Sequence, residues 1–255
     1  ADVYVNDAFG TCHNLDASMV AVPKNFPTGN RVVGLLVERE LQVLDGLLAS
    51  PKLPMVAVLG GAKVKEKIKF IEHLVPRVER LLVGGAMAYT FMKAAGRNVG
   101  RSKVDPEGLE IAPRLAELAG GKLQLPIDHL IADKPEAAAQ TRVVSGDFPS
   151  DWCGVDIGPA TIAAFESAIA NAATIVWNGP VGKFEDEPFS RGTRAVATAL
   201  ARSSAVTVVG GGETIAAIRH LDLLDQFNFV STGGGAMLDF LAHGTLPGIE
   251  ALRTA

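Results

Sequence analysis

Cysteine is scarce: the 255 residues hold only Cys12 and Cys153. Two thiols so far apart exclude a disulfide framework or a zinc cluster, and lone thiols suit a reducing, cytoplasmic compartment. Positive charge is not in excess either. Lys and Arg number 24 against 28 Asp and Glu, a formal charge of −4, whereas a nucleic-acid-binding domain is normally clearly basic. Mean hydropathy is positive, at +0.24, yet no uncharged apolar run reaches the roughly 18 residues of a bilayer-spanning helix. The best window, 160–177, is broken by Glu166, Ser167 and Asn171. None of the five His forms a pair with metal-ligand spacing. Phosphate-binding signatures of the forms G-x-x-x-x-G-K-S/T and strand-borne G-x-G-x-x-G are missing, as is a nucleophile elbow. Neither an initiating Met nor a signal peptide opens the chain. Residues 1–5, Ala-Asp-Val-Tyr-Val, read at once as a strand, so the sequence is expected to be a piece of a longer one.

What is present is one recurring pattern. Apolar runs at 55–59, 81–83, 174–177, 206–209 and 227–230 each end in a glycine-rich turn. Continuous rather than alternating apolar runs are the mark of strands covered on both faces. Amphipathic segments follow most of them, as at 65–78, 192–201 and 236–241. Strand then helix, repeated at uneven spacing, predicts an open doubly wound parallel sheet: a Rossmann-like three-layer α/β/α fold of about six strands. Two weaker candidates, 123–125 and 141–144, are expected to pair with each other. Ahead of the sheet, Val37, Leu41, Leu44 and Leu48 share one helical face, and Pro51 and Pro54 stop that helix soon after.

In a parallel sheet all these glycine turns fall along one edge, outside the carboxyl ends of the strands, where such sheets bind ligands. Glycine admits backbone N–H groups close to a ligand, and each following helix aims its positive end at the same place. Turn chemistry alone would supply glycine at any one of them; five together point to an extended, phosphate-bearing anion. After Gly60-Gly61, Lys63 and Lys67 stand one helical turn apart at the predicted start of a helix. There the helix dipole disfavours cations unless an anion compensates. Glu185 and Glu187 follow Asn178-Gly179-Pro180, and Glu213 and Thr214 follow Gly210-Gly211-Gly212. Read alone, each carboxylate could hold a ribose hydroxyl or a metal, or be an ordinary loop acid.

Three long motifs carry a resemblance. They are Gly60-Gly61-Ala62-Lys63-Val64-x-x-Lys67, the stretch from Val176 through Asn178-Gly179-Pro180-Val181-Gly182 to Glu185, and Val230-Ser231-Thr232-Gly233-Gly234-Gly235-Ala236. With the opening 5–11 and closing 246–252, they resemble phosphoglycerate kinase over essentially the whole chain. The resemblance implies phosphoryl transfer between 1,3-bisphosphoglycerate and ADP, giving 3-phosphoglycerate and ATP in glycolysis, with Mg²⁺. It also implies a monomer that takes only small-molecule substrates. Residues 51–245 would form the nucleotide-binding domain and 37–50 an interdomain helix. Residues 1–36 would be the last segment of an otherwise missing phosphoglycerate-binding domain, toward which 246–255 returns.

Carried over by motif, Gly61, Ala62, Lys63 and Lys67 would approach the nucleotide phosphates, with Lys63 stabilising the transferring group. Gly84, Gly85, Gly154 and Val155 would shape the adenine pocket. Asn178, Pro180 and Val181 would line the nucleotide site together with Gly211, Gly212 and Thr214. Glu185 resembles the ribose ligand and Glu213 the metal-associated acid. Gly233, Gly234 and Gly235 would present a helix N-terminus to the phosphoryl in flight, and His13 and Asn14 would face the substrate.

The family reads Gly-Thr-x-His-Arg-x-His where this chain has 10–16 Gly-Thr-Cys-His-Asn-Leu-Asp. An Arg is thus Asn14 and a His is Asp16. Losing a cation and gaining an anion beside an anionic substrate would weaken binding by about 2–5 kcal/mol for a desolvated pair. Glu213 stands where the family has Asp, one methylene shorter. A non-catalytic nucleotide-binding module descended from the kinase is the alternative expectation. A nicotinamide oxidoreductase lacks its fingerprint.

Overall fold

A computed structural model describes residues 1–253, which divide into two units. The first comprises 1–51 and the chain from Ser231 onward; the second is Lys52–Val230. The expected domain limit at 245 therefore falls inside the first unit. The local cause is Glu40, only 2% exposed, whose carboxylate accepts the Ser231 hydroxyl at 2.8 Å and the Thr232 N–H at 2.6 Å.

The first unit opens with β1 (Tyr4–Asn6) and β2 (Arg31–Val33), a parallel pair with Tyr4 opposite Arg31. Short 3₁₀ and π turns connect them. Helix α1 (Leu35–Ala49) buries Val37, Glu40, Leu44 and Leu47, the spacing of one helical face. Its N-terminal N–H groups at Leu36 and Val37 donate to the Asp7 carboxylate at 2.8 and 3.2 Å.

The second unit runs β3 (Met55–Leu59), α2 (Ile68–Leu74), β4 (Arg80–Val83), α3 (Gly85–Ala94), α4 (Pro106–Ala119) and β5 (Leu123–Gln124). Then come β6 (His129–Ala132), β7 (Thr141–Val144), β8 (Cys153–Ile157), α5 (Pro159–Ala170) and β9 (Thr174–Asn178). It ends with α6 (Arg191–Arg202), β10 (Val206–Gly210), α7 (Gly212–His220) and β11 (Phe229–Val230). The chain closes in the first unit with α8 (Gly234–His243) and α9 (Pro247–Arg253); residues 254 and 255 of the expected terminal segment lie outside the described residues.

Six strands form one parallel sheet in the order β11-β10-β9-β3-β4-β5. From β3 the chain winds outward through β4 to β5, and from β9 it winds outward the other way, so the order reverses between β3 and β9. This is the doubly wound fold the apolar runs predict. Every residue of β3 and β9 is buried. Val58, Trp177, Phe165, Ile175 and Leu200 belong to one core cluster.

Two local expectations are corrected. Residues 123–124 and 141–144 do not pair: β5 extends the parallel sheet beside β4, and β7 joins an antiparallel sheet of order β7-β6-β8. Short, partly exposed strands carry too little pattern to specify a partner. The helix expected from residue 65 begins as a 3₁₀ turn at Lys65–Lys67, with α2 proper starting at Ile68. Lys63 therefore precedes the helix rather than lying in its first turn. Among the described residues, no helix is long and apolar enough to cross a membrane, and both thiols are free and buried.

Candidate functional site

The order reversal brings the turn after β3 against the turn after β9. The Gly60 N–H donates to Asn178 O at 3.0 Å, and the Gly61 N–H to Pro180 O at 2.8 Å. Only glycine fits here. A Cβ on Gly60 would lie 2.0 Å from Pro180 O, and Gly61 adopts φ +82°, which side chains rarely tolerate. The next turn outward is laced to the same pair, with the Gly85 N–H donating to Val181 O at 2.8 Å and the Met87 N–H to Gly61 O at 2.9 Å. On the other side the Gly179 N–H donates to Thr214 Oγ1 at 2.7 Å, and Asn178 Nδ2 to Gly210 O at 3.0 Å. Four turns from β3, β4, β9 and β10 thus form one continuous rim.

Two cavities open on this rim. One, of about 730 Å³, is walled by Gly85, Ala86, Tyr89, Gly154, Val155 and Pro180, with Glu185 and Lys183 at its side. The other, of about 890 Å³, is lined by Lys63, Lys65, Lys67, Asn178, Gly211, Gly212 and Thr214 among others. Gly61, Ala62, Lys103 and Glu213 belong to both walls. The first is a largely apolar slot; the second is a basin in which four lysines, Lys63, Lys65, Lys67 and Lys103, stand among four acids, Glu66, Asp105, Glu107 and Glu213.

The lysines are not equivalent. Lys63 is exposed and paired with Glu66, whose hydrogen bond raises its ammonium above the ordinary value. Lys65 is paired with Glu107. Lys67 is buried, at 8% exposure, and makes no ion pair within 4.0 Å among the described residues. Burial lowers its pKa, partly opposed by Glu66 and Glu213. A Cβ on Gly61 would stand 3.7 Å from Lys67 Nζ and 3.9 Å from Glu213 Oε2, so both charged groups converge on that glycine. Glu213 lies in the first turn of α7, where the helix dipole favours an acid. An unpaired, largely desolvated ammonium at this rim suits a polyanion.

The structure brings together most residues singled out from sequence. Gly84 and Val181 open on neither cavity: they pack behind the wall, where a Cβ on Gly84 would sit 2.5 Å from Val181 Cβ. His13, Asn14 and Gly233–Gly235 belong to the first unit. There a Cβ on Gly235 would lie 3.1 Å from His13 Nε2, and Asn14 Nδ2 donates to Asp16 Oδ2 at 3.2 Å. Sequence reasoning missed Tyr89, Lys103 and Lys183. Tyr89 was within reach, since it stands one turn after Gly85 on the same helix face. Among the described residues no group of three His, Cys, Asp or Glu side chains could hold a metal by itself.

The phosphoglycerate kinase family model matches residues 1–244. The phosphoglycerate kinase of Rubrobacter xylanophilus is 48% identical over 252 residues, covering 98% of this chain and 64% of that protein. That of Salinibacter ruber is 47% identical over 258 residues, covering 100% and 64%. Among solved structures, the phosphoglycerate kinase of Coxiella burnetii has a TM-score of 0.89 at 42% identity, covering 99% of this chain and 65% of that one. The Pyrococcus horikoshii enzyme has a TM-score of 0.85 at 32% identity, covering 99% and 64%. This chain therefore spans just under two thirds of the length of these relatives. With glycine turns, switch point and sequence in agreement, it belongs to the phosphoglycerate kinase family.

Proposed function

We propose that this chain supplies the nucleotide side of phosphoryl transfer between 1,3-bisphosphoglycerate and ADP, giving 3-phosphoglycerate and ATP in the cytoplasm. One observation carries the reading: an apolar slot and a lysine basin meet at the switch point of the sheet. An adenosine would fit the first by burial, and its phosphates the second beside the unpaired Lys67. Gly85, Gly154 and Val155 would then contact the base, Glu185 the ribose, and Asn178, Pro180 and Thr214 the floor between them.

Phosphoryl transfer is mostly positioning and charge stabilisation. Lys67, already desolvated, would bind the phosphate chain without first giving up a protein carboxylate. Lys63 would exchange Glu66 for the transferring phosphoryl. Glu213 fits a Mg²⁺ role, because that ion is usually held by one or two carboxylates plus substrate phosphates rather than by an all-protein cage. Bound there, Mg²⁺ would neutralise charge on the phosphates. The phosphoglycerate-binding remainder of the enzyme, in this reading, corresponds to the part of the relatives beyond the match.

Calorimetric titration tests the reading. ADP should bind the chain, and Lys67→Met should weaken ADP about tenfold or more while adenosine is unaffected. Absence of ADP binding, or equal loss for ADP and adenosine, would overturn it.

A further inference from the structure

Among the described residues, Lys103 is the one cation whose residue walls both cavities. It lies on no helix or strand, yet its backbone is tied down on each side. Before it, Ser102 is 8% exposed; its hydroxyl donates to Val99 O and accepts the Gly154 N–H at 2.8 Å. After it, the Asp105 N–H donates at 2.9 Å to the hydroxyl of Thr90, which is fully buried. Gly154 belongs to β8 and Thr90 to α3, two of the elements that wall the apolar slot. An irregular segment is thereby fixed where slot and basin join.

Its side chain, by contrast, is uncommitted. Arg101 donates to the carbonyls of Asp133 and Asp151, Lys183 to Pro135 O and Asp186, Lys63 to Glu66 and Lys65 to Glu107. Lys103 is exposed and has no ion pair or hydrogen bond among the described residues. A ligand with its base in the slot and its terminal phosphate in the basin must cross this junction. The group that crosses it is the one joining the nucleoside to the phosphate chain.

We propose that Lys103 binds the α-phosphate and so selects nucleotides over nucleosides, an assignment that rests on the ADP reading above. The backbone clamp fixes the position and the free ammonium supplies the charge. Lys63 and Lys65 would each have to release a carboxylate, and Lys67, unpaired but buried, lines only the basin.

The test compares ADP, AMP and adenosine by calorimetry on the whole chain, with Lys103→Met and Lys103→Arg, at low and high salt. Lys103→Met should weaken ADP and AMP alike by about five- to tenfold at low salt, as expected for one charge-assisted contact. The loss should shrink at high salt through screening, adenosine should be unchanged, and Lys103→Arg should restore binding. Equal effects on AMP and adenosine would mean that the lysine stem only packs against the base, and the proposal fails. Loss for ADP with AMP unchanged would place the ammonium on the β-phosphate and also overturns it, as does no effect at all. In each of these cases wild-type ADP binding persists. Its absence would instead remove the nucleotide reading, and this proposal with it.

Discussion

Asp156 and His129 are buried titratable groups whose pH responses have opposite signs. Asp156 is 1% exposed, and burial pushes its carboxyl up to about 7, against hydrogen bonds from the Gly192 and Ile157 N–H groups. From its ordinary value of 3.8 up to about 7, the folded chain keeps a proton that the unfolded chain releases. This group therefore costs stability as pH rises through that window. His129 is also 1% exposed, and burial, only partly opposed by Asp128, pushes it down from 6.5 to about 4. There the unfolded chain takes up a proton that the folded chain refuses, so stability is lost as pH falls from 6.5 toward 4. Urea denaturation across pH should show it. The stability of wild type relative to Asp156→Asn should fall as pH rises from about 4 to 7, and relative to His129→Phe should rise over about 4 to 6.5, each by at most about 1.4 kcal/mol per pH unit. Differences that stay flat with pH would contradict both assignments.

At the level of elements, β3, β9 and β10 were legible because a strand covered on both faces must be apolar throughout, and their turns because close backbone contact admits only glycine. The devices that finish the helices were not. Asp7 caps α1, Asp128 caps α5 through the Ala160 and Thr161 N–H groups at 2.9 and 2.7 Å, and Asp156 caps α6 through Gly192 at 2.7 Å. Each carboxylate reaches its helix from a distant stretch of chain, so no local capping pattern announces it. For the same reason the two site lysines could not be told apart. Their spacing is a sequence fact, but the burial of Lys67 and the pairing of Lys63 depend on neighbours brought by the fold. Lys103 lacks even a spacing to mark it.

Glycine shows how element context sets the outcome of one substitution. Gly46, exposed inside α1, leaves open space within 4 Å of where a methyl group would sit, whereas a methyl on Gly60 meets Pro180 O at 2.0 Å. Thermal unfolding should find Gly46→Ala stabilising by about 0.5–1 kcal/mol. Gly60→Ala should be destabilising by about 3 kcal/mol or more, because the β3 and β9 turns must separate. A neutral Gly60→Ala would show that the two turns are not in contact.

For the whole molecule, the rim is made by strands that also form the middle of the sheet. A ligand seated there binds only the folded second unit, so ADP at a hundred times its dissociation constant should add about 2.7 kcal/mol to that unit's stability. Hydrogen exchange provides the measurement: β3 and β9 amides that open only by global unfolding should slow about a hundredfold with ADP. Protection confined to the turns would contradict coupling between ligand and sheet.

The β3–β9 pairing has a further consequence, in time rather than space. Met55 stands opposite Thr174, with four helices and five strands threaded between them in the chain. Pairings of such long sequence separation close late, because the loop entropy must be overcome before the contact is rewarded. Neither half of the sheet contains the site. On the nucleotide reading, competence to bind would arise only when the two halves meet, and the moment a refolding chain first takes up ADP would date the closure of its sheet.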